Sequence, residues 1–254
     1  MILTRLGNKR KVAELILPYF PPHNHYIEWF FGGGGMFFSK PLAQYNTLND
    51  SDDDVFNLFM VLKLHKQLFY RQLELMPITD SLLQHWKKNK EIDPILKAIR
   101  FMFLSNFTFI GKGNTLIIEE SNRKKNALKM VDFCFEHIKD ATLMCDDFRN
   151  IPKRISFPTQ AHKNRTFIYA DPPYLGTDDN YKSGFLKQDT ADLFKILVQT
   201  GIRFAISEFH NPFVFELAKY YNLNIIEIGK RSNLKNKNTE ILVVNYDPFD
   251  KKYA

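Results

Sequence analysis

Thr166-Phe167-Ile168-Tyr169-Ala170-Asp171-Pro172-Pro173-Tyr174 is the stretch that decides the fold. Five residues rich in β-branched and aromatic types, halted by two prolines, predict a buried strand that delivers Asp171 to a loop. In a parallel α/β sheet, ligands sit beyond the carboxyl ends of the strands. Asp171 and Tyr174 are therefore expected at the mouth of a site.

The chemistry open to these four residues is narrow. An exocyclic amine on a nucleobase is a poor nucleophile, because its lone pair is delocalised into the ring. The Asp171 carboxylate accepting one N–H, and the Pro172 carbonyl accepting the other, would draw the nitrogen towards a tetrahedral shape and free that pair. Pro172 has a fixed φ and no N–H of its own. Tyr174 offers a flat face for an unstacked base. No general base is required where the leaving group is already a sulfonium. The same four residues also suit a plain strand and a proline-stiffened turn, so the rest of the chain has to decide.

Working outward, Tyr26-Ile27-Glu28-Trp29-Phe30-Phe31 reads as a second strand, followed by Gly32-Gly33-Gly34-Gly35 and a helix opening at Met36-Phe37-Phe38. Such a turn lets backbone approach a nucleotide-like ligand closely. The G-x-G-x-x-G fingerprint of dinucleotide binders is incomplete, with Phe37 in the third glycine position, which speaks against NAD or FAD. A strand from Tyr45 to Leu48 ends in Asn49-Asp50, and Asp50 lies 16 residues past Gly34. An acid at that strand end is placed to accept from both ribose hydroxyls of an adenosine-bearing cofactor. Before all this, Arg5 to Lys11 forms a basic loop, readable as a solvated terminus or as cations over a carboxylate or phosphate. A short helix from Val12 to Leu17 follows and is ended by Pro18.

From Asp53 to about Asp140 the pattern turns helical, with apolar stripes such as Phe56, Phe59, Met60 and Leu62 that read as core. The block interrupts an α/β rhythm and so reads as an insertion, residues 55–140, inside a catalytic part made of 1–54 and 141–254. A hairpin is expected near 109–120, around Gly111-Lys112-Gly113-Asn114. Lys87-Lys88-Asn89-Lys90 and Arg123-Lys124-Lys125 flank it. They are either solvated faces or a phosphate-contacting surface. The α/β rhythm resumes with a strand over Ala141 to Met144 and then Asp147-Phe148. Beyond the Asp171 loop, Asp189 reads as a helix cap, Ile202 to Ser207 as a strand and Pro212 to Tyr221 as a helix. Two last strands, Leu223 to Ile228 and Glu240 to Tyr246, are joined by a basic stretch, Lys230 to Lys237.

The bulk numbers permit one large domain or a domain with an insertion: 254 residues, 44% hydrophobic and 25% charged. A formal net charge of +7 suits a polyanionic partner. The two cysteines, Cys134 and Cys145, have no metal-ligand spacing. No apolar run reaches the ~20 residues of a membrane span, and no signal-peptide core opens the chain. A cytoplasmic, metal-free protein is expected.

With these motifs in order, the chain resembles the Dam-type (D12 class, α group) DNA adenine-N6 methyltransferases over essentially its whole length. Gly7-Asn8-Lys9 is similar to the family's G-G-K, Glu28 to Gly34 to its E-P-F-x-G-x-G, Leu48-Asn49-Asp50 to its ribose-binding acid, and Asp147-Phe148 to its adenine-holding pair. Asp171 to Tyr174 is similar to its catalytic tetrapeptide, and Tyr181, Phe185, Asp189 and Glu240 to Tyr246 to its C-terminal pattern. The resemblance implies an α/β, Rossmann-like S-adenosylmethionine-dependent methyltransferase fold with a mixed sheet and a helical target-recognition insertion. It implies S-adenosylmethionine held by Lys9, Phe30, Gly32, Gly34, Asp50, Asp147, Phe148 and Asp171, and catalysis by Asp171, Pro172, Pro173 and Tyr174. Double-stranded DNA would be contacted through Lys112, Asn114, Arg123, Lys124, Lys125 and Tyr181. A monomer, with any cognate restriction endonuclease a separate protein, completes the expectation. Trp29 replaces the family's usual proline, and Phe109 to Asn114 lacks the N-G-L-x-R form of the GATC-specific members. The alternatives are an N4-cytosine or RNA-base methyltransferase, and a catalytically silent DNA-binding relative.

Overall fold

The computed structural model describes residues 2–3, 9–117, 122–175, 185–232 and 237–249. Along the chain the strands are β1 (His25–Glu28), β2 (Tyr45–Asn49), β3 (Thr142–Met144), β4 (Thr166–Ala170), β5 (Arg203–Phe209), β6 (Asn224–Ser232) and β7 (Lys237–Val244). The α-helices are α1 (Ala13–Ile16), α2 (Asp53–Leu64), α3 (Lys66–Leu75), α4 (Asp80–Lys88), α5 (Pro94–Asn106), α6 (Arg123–Ile138), α7 (Ile151–Arg154), α8 (Gln160–Asn164), α9 (Lys187–Thr200) and α10 (Pro212–Tyr220). The chain divides into two compact units. One holds Met1–Lys11, Gly32–Pro41 and Asp50–Cys145, the other Val12–Phe31, Leu42–Asn49 and Asp146–Ala254.

The second unit contains six of the seven strands of a mixed sheet, in the order β2-β1-β4-β5-β7-β6. β2, β1, β4 and β5 run parallel, and β7 lies antiparallel between β5 and β6. β4 is central and every one of its residues is buried, which is why its sequence is a continuous apolar run rather than an alternating one. Registers pair Glu28 with Tyr169 and Ala170 with Ile206, so β1, β4 and β5 reach the same edge of the sheet together. β6 and β7 extend much further than sequence reading expects. The basic stretch from Lys230 is strand rather than linker, because the hairpin ladder continues past the bulge between Glu227 and Gly229 to Ser232 and Lys237. Gly229 carries φ +146° there, a bulge conformation that glycine adopts without strain.

The first unit carries the helices from α2 to α6. α2 and α5 pack together through Val55, Leu58, Phe59 and Leu62 on one and Ala98, Ile99, Met102 and Phe103 on the other, all buried. Each start is specified locally. The Asp52 carboxylate accepts from the Asp54 N–H, Thr79 caps α4, and Asp93 caps α5 with Pro94 in its first turn. One expectation changes here. The helix expected from Met36 is a single 3-10 turn, Phe37–Ser39. Where the hairpin near 109–120 is expected, the Phe109 N–H donates to the Thr115 carbonyl at 2.8 Å and the Ile117 N–H to the Phe107 carbonyl at 2.9 Å, on either side of the antiparallel Thr108–Leu116 bridge, with a 3-10 turn, Phe109–Gly111, at the bend; residues 118–121 lie outside the described residues. In the second unit, Asp189 is not the cap of α9 but its third residue. Its carboxylate reaches back to the Leu186 N–H at 2.7 Å, the reciprocal half of a capping box.

Asn49 at the end of β2 ties loops of the sheet unit together. Its side-chain amide donates to the Trp29 and Asp146 carbonyls, both at 3.0 Å, and its oxygen accepts from the Asp146 N–H at 3.1 Å. Buried peptide groups left without partners cost about 1–3 kcal/mol each. Asn49→Ala is therefore expected to lower the stability of the protein by about 3 kcal/mol, read from the urea midpoint.

Candidate active site

In the first unit the glycine turn and Asp50 come together. Gly32 and Gly34 hold φ of +51° and +70°, a region where a side chain is strained. The Gly32 N–H donates to Asp50 Oδ2 at 2.6 Å, and the Asp52 N–H donates to Asp50 Oδ1 at 2.9 Å. Both carboxylate oxygens are thus aimed by backbone, with further lone pairs able to accept from a diol. A Cβ built on Gly32 would meet nothing within 4 Å. Space beside this backbone, next to a fixed carboxylate, fits the ribose end of an adenosine-bearing cofactor. Lys9 opens a 3-10 turn, Lys9–Lys11, and is buried. Gly7 and Asn8 lie outside the described residues.

In the second unit Phe30, Phe148 and Phe185 form an aromatic group. Phe148 lies 5.6 Å from Phe30 and 5.9 Å from Phe185 between ring centres, and Phe30 meets Phe185 edge-on at 5.9 Å. Sequence reading missed the residue that holds this group. The Arg149 guanidinium lies over the Phe148 ring, 4.5 Å from its centre, and binds Asp147, Asp189 and Asp192. Burial opposes its charge, but the hydrogen bonds to Asp189 and Asp192 and the nearby carboxylates outweigh that and raise its pKa. Asp147 also accepts from the Arg149 N–H at 2.8 Å. The only sequence sign of Arg149 was its place directly after Asp147-Phe148.

The Asp171 loop leaves β4 as expected, with Asp171 and Pro173 half-buried and Pro172 and Tyr174 buried. Tyr174 is 8% exposed. Its hydroxyl donates to Glu240 Oε1 at 2.5 Å, and its ring stands perpendicular to Phe209 at 4.6 Å. Three buried glutamates share this end of the sheet. Glu28 accepts from the Tyr26 hydroxyl at 2.8 Å, Glu208 from the Phe209 N–H at 2.8 Å, and Glu240 from Tyr174. Tyr169, paired in register with Glu28 on one side and Ala205 on the other, hydrogen-bonds Ser207 at 2.7 Å. A lone acid within an apolar strand, as in Tyr26-Ile27-Glu28 and Glu240-Ile241-Leu242, is the signal that betrays such groups, since a buried carboxylate survives only with donors.

The expected DNA contacts are placed less uniformly. Lys112, Asn114 and Lys125 are exposed. Arg123 donates to the Asn106 carbonyl at 3.2 Å and Lys124 to the Met76 carbonyl at 2.7 Å, so both sit on the C-terminal ends of helices, where cations are favoured. Tyr181 lies outside the described residues. No described helix is long and apolar enough to cross a membrane.

The chain has the Rossmann-like fold of an S-adenosylmethionine-dependent methyltransferase, a mixed sheet in which β7 lies antiparallel between β5 and β6. Residues 6–234 match the family model for D12 class N6 adenine-specific DNA methyltransferases. The chain is 25% identical over 283 aligned positions to the type II methyltransferase M1.LlaDCHI of Lactococcus lactis subsp. cremoris, covering 94% of this chain and 93% of that protein. It is 26% identical to the modification methylase StsI of Streptococcus sanguinis, across 96% of this chain but 42% of that protein. It is 22% identical to the DNA adenine methylase of Escherichia coli (strain K12), covering 95% and 93%. The chain belongs to the D12 class N6 adenine-specific DNA methyltransferase family, and is a site-specific enzyme that methylates adenine N6 in DNA from S-adenosylmethionine. That choice of base sets aside the cytosine and RNA alternatives.

Two predictions come from this geometry. Burial first, then neighbouring acids, raise the pKa values of Tyr26, Tyr169 and Tyr174 well above 10. A raised folded-state pKa contributes stability that is intact below the unfolded value of about 10 and is lost as pH rises above it. Stability should thus be insensitive to these tyrosines up to about pH 9 and fall beyond pH 10, with their 295 nm ionisation seen only on unfolding. Arg149→Ala should weaken S-adenosylmethionine binding about tenfold, or roughly 1.4 kcal/mol, by calorimetry.

Proposed function

We propose that the methyl donor is held with Asp50 on its ribose, the Gly32–Gly34 turn against its backbone-facing side, and Phe30, Asp147 and Phe148 at its adenine. Lys9 serves the methionine end. The observation that carries this reading is the Asp50 carboxylate fixed by the Gly32 N–H beside open space. S-Adenosylmethionine supplies, when bound, a methyl group activated by a sulfonium. The chain's own residues prepare the nucleophile.

The target adenine is turned out of the duplex, at a cost of a few kcal/mol of unstacking, and lies against Tyr174. Asp171 accepts one N–H of its amine and the Pro172 carbonyl accepts the other, which localises the nitrogen lone pair. Each proline restricts the ψ of the residue before it, so the Asp171 backbone and the Pro172 carbonyl keep their directions. Asp171, which in this reading already accepts an amine N–H, also takes up the proton that the amine gives up on methylation. Catalysis is then mostly orientation and electrostatics.

The helical stretch 55–140 is the part we assign to reading DNA. Exposed Lys112 and Asn114 on the turn after α5, together with Lys125, contact the duplex, and Tyr181 adds a contact. Lysine contacts guanine without arginine's two-pronged fork, so the enzyme reads a sequence other than GATC. Relatives named as type II and modification enzymes support a role opposite a separate restriction endonuclease. We take the enzyme to act as a monomer in the cytoplasm, where its DNA substrate resides.

The test is methylation of a mixed-sequence duplex with labelled S-adenosylmethionine, followed by modification-sensitive sequencing. N6-methyladenine at one short motif is expected. Asp171→Ala should retain DNA and cofactor binding while kcat falls by about 10²- to 10³-fold or more. Near-normal turnover in that variant would overturn the mechanism.

A further inference from the structure

Glu240 lies on β7, outside the loop that carries the chemistry, yet it accepts the Tyr174 hydroxyl at 2.5 Å and is 1% exposed. Phe209, perpendicular to the Tyr174 ring, is paired directly opposite Glu240 across the antiparallel β5/β7 ladder. Side chains directly opposite in such a ladder point to the same face of the sheet. One cross-strand pair therefore grips Tyr174 twice, at its hydroxyl and at its ring. A tyrosine has two side-chain torsions, and two contacts so arranged fix both.

We propose that Glu240 is a positioning residue for the methyl transfer: with Phe209, it sets the plane of the Tyr174 ring against which the flipped adenine rests. This rests on the reading of Tyr174 as the stacking surface, and adds the group that aims it. The hydroxyl stays protonated and donating at any working pH, since burial, Asp171 and Glu240 all oppose its ionisation. A structural glutamate would hold the fold alone. A positioning one moves turnover through Tyr174.

The experiment measures kcat and the KM for S-adenosylmethionine on a mixed-sequence duplex, with thermal melting as the control for folding. Glu240→Leu should lower kcat by about 10- to 100-fold, the range that misplacement of about 1 Å commands, and leave the KM for S-adenosylmethionine unchanged. Glu240→Gln, which still offers a carbonyl oxygen to the hydroxyl, should restore most of that loss. Tyr174→Phe, which removes the donor without touching β7, should fall by a similar factor. The double variant Tyr174→Phe with Glu240→Leu should be no worse than either alone. Full turnover in Tyr174→Phe, or losses that multiply in the double variant, would overturn the role of Glu240. Full turnover in Tyr174→Ala would overturn the stacking reading itself. Impaired Tyr174→Ala beside unimpaired Glu240→Leu would remove only the positioning role.

Discussion

Carboxylates crowd the C-terminal edge of the parallel strands, and meeting their need for donors is the constraint on which this end of the sheet is built. Glu28, Glu208 and Glu240 are buried there, and Asp171 follows directly on β4. A buried carboxylate is tolerated only where hydrogen bonds replace water. Two of these acids draw on tyrosine hydroxyls, Tyr26 and Tyr174, and one on the backbone N–H of Phe209. The donors of Glu28 and Glu208 lie within two residues of them on the same strand, whereas Tyr174 reaches Glu240 from 66 residues away, so the register that places β7 is a chemical requirement as well as a packing one. A shift by one residue would turn each acid to the opposite face.

The same logic links this edge to reactivity. Tyrosines that satisfy acids are themselves kept neutral, by burial first and then by those acids, so they remain donors and apolar surfaces at once. In the proposed reading, a base brought against Tyr174 meets a ring held at its hydroxyl, and Asp171, half-buried, is the carboxylate offered to the base's amine. In the first unit the order is reversed. Backbone N–H groups of Gly32 and Asp52 hold the Asp50 carboxylate, and glycine is needed at position 32 for its positive φ rather than for lack of room.

Cations show what composition leaves open. Arg123 and Lys124 belong to a basic run that reads as a phosphate-contacting surface, yet both end on helix carbonyls. Arg149 sits in no basic run and binds three aspartates while covering Phe148. What a cation does depends on the carbonyls and carboxylates within reach, and those come from distant parts of the chain.

The sequence by itself determined the strand that ends at Asp171, the glycine turn, Asp50 and the helical stretch between the two halves of the α/β pattern. All of these are written in local periodicity and in glycine and proline, whose backbone preferences act within a few residues. Local signals also misplaced elements. Asp189 looks like a cap but is the third residue of α9, and Lys230 looks like linker but is strand, because its ladder pairing with Thr239 overrides its polarity. Only the tertiary structure decided that Glu240 meets Tyr174, 66 residues away in the chain, and that Arg149 gathers Asp189 and Asp192. Those partners are set by strand register and helix docking, which arise from packing between segments that carry no mark of each other in sequence.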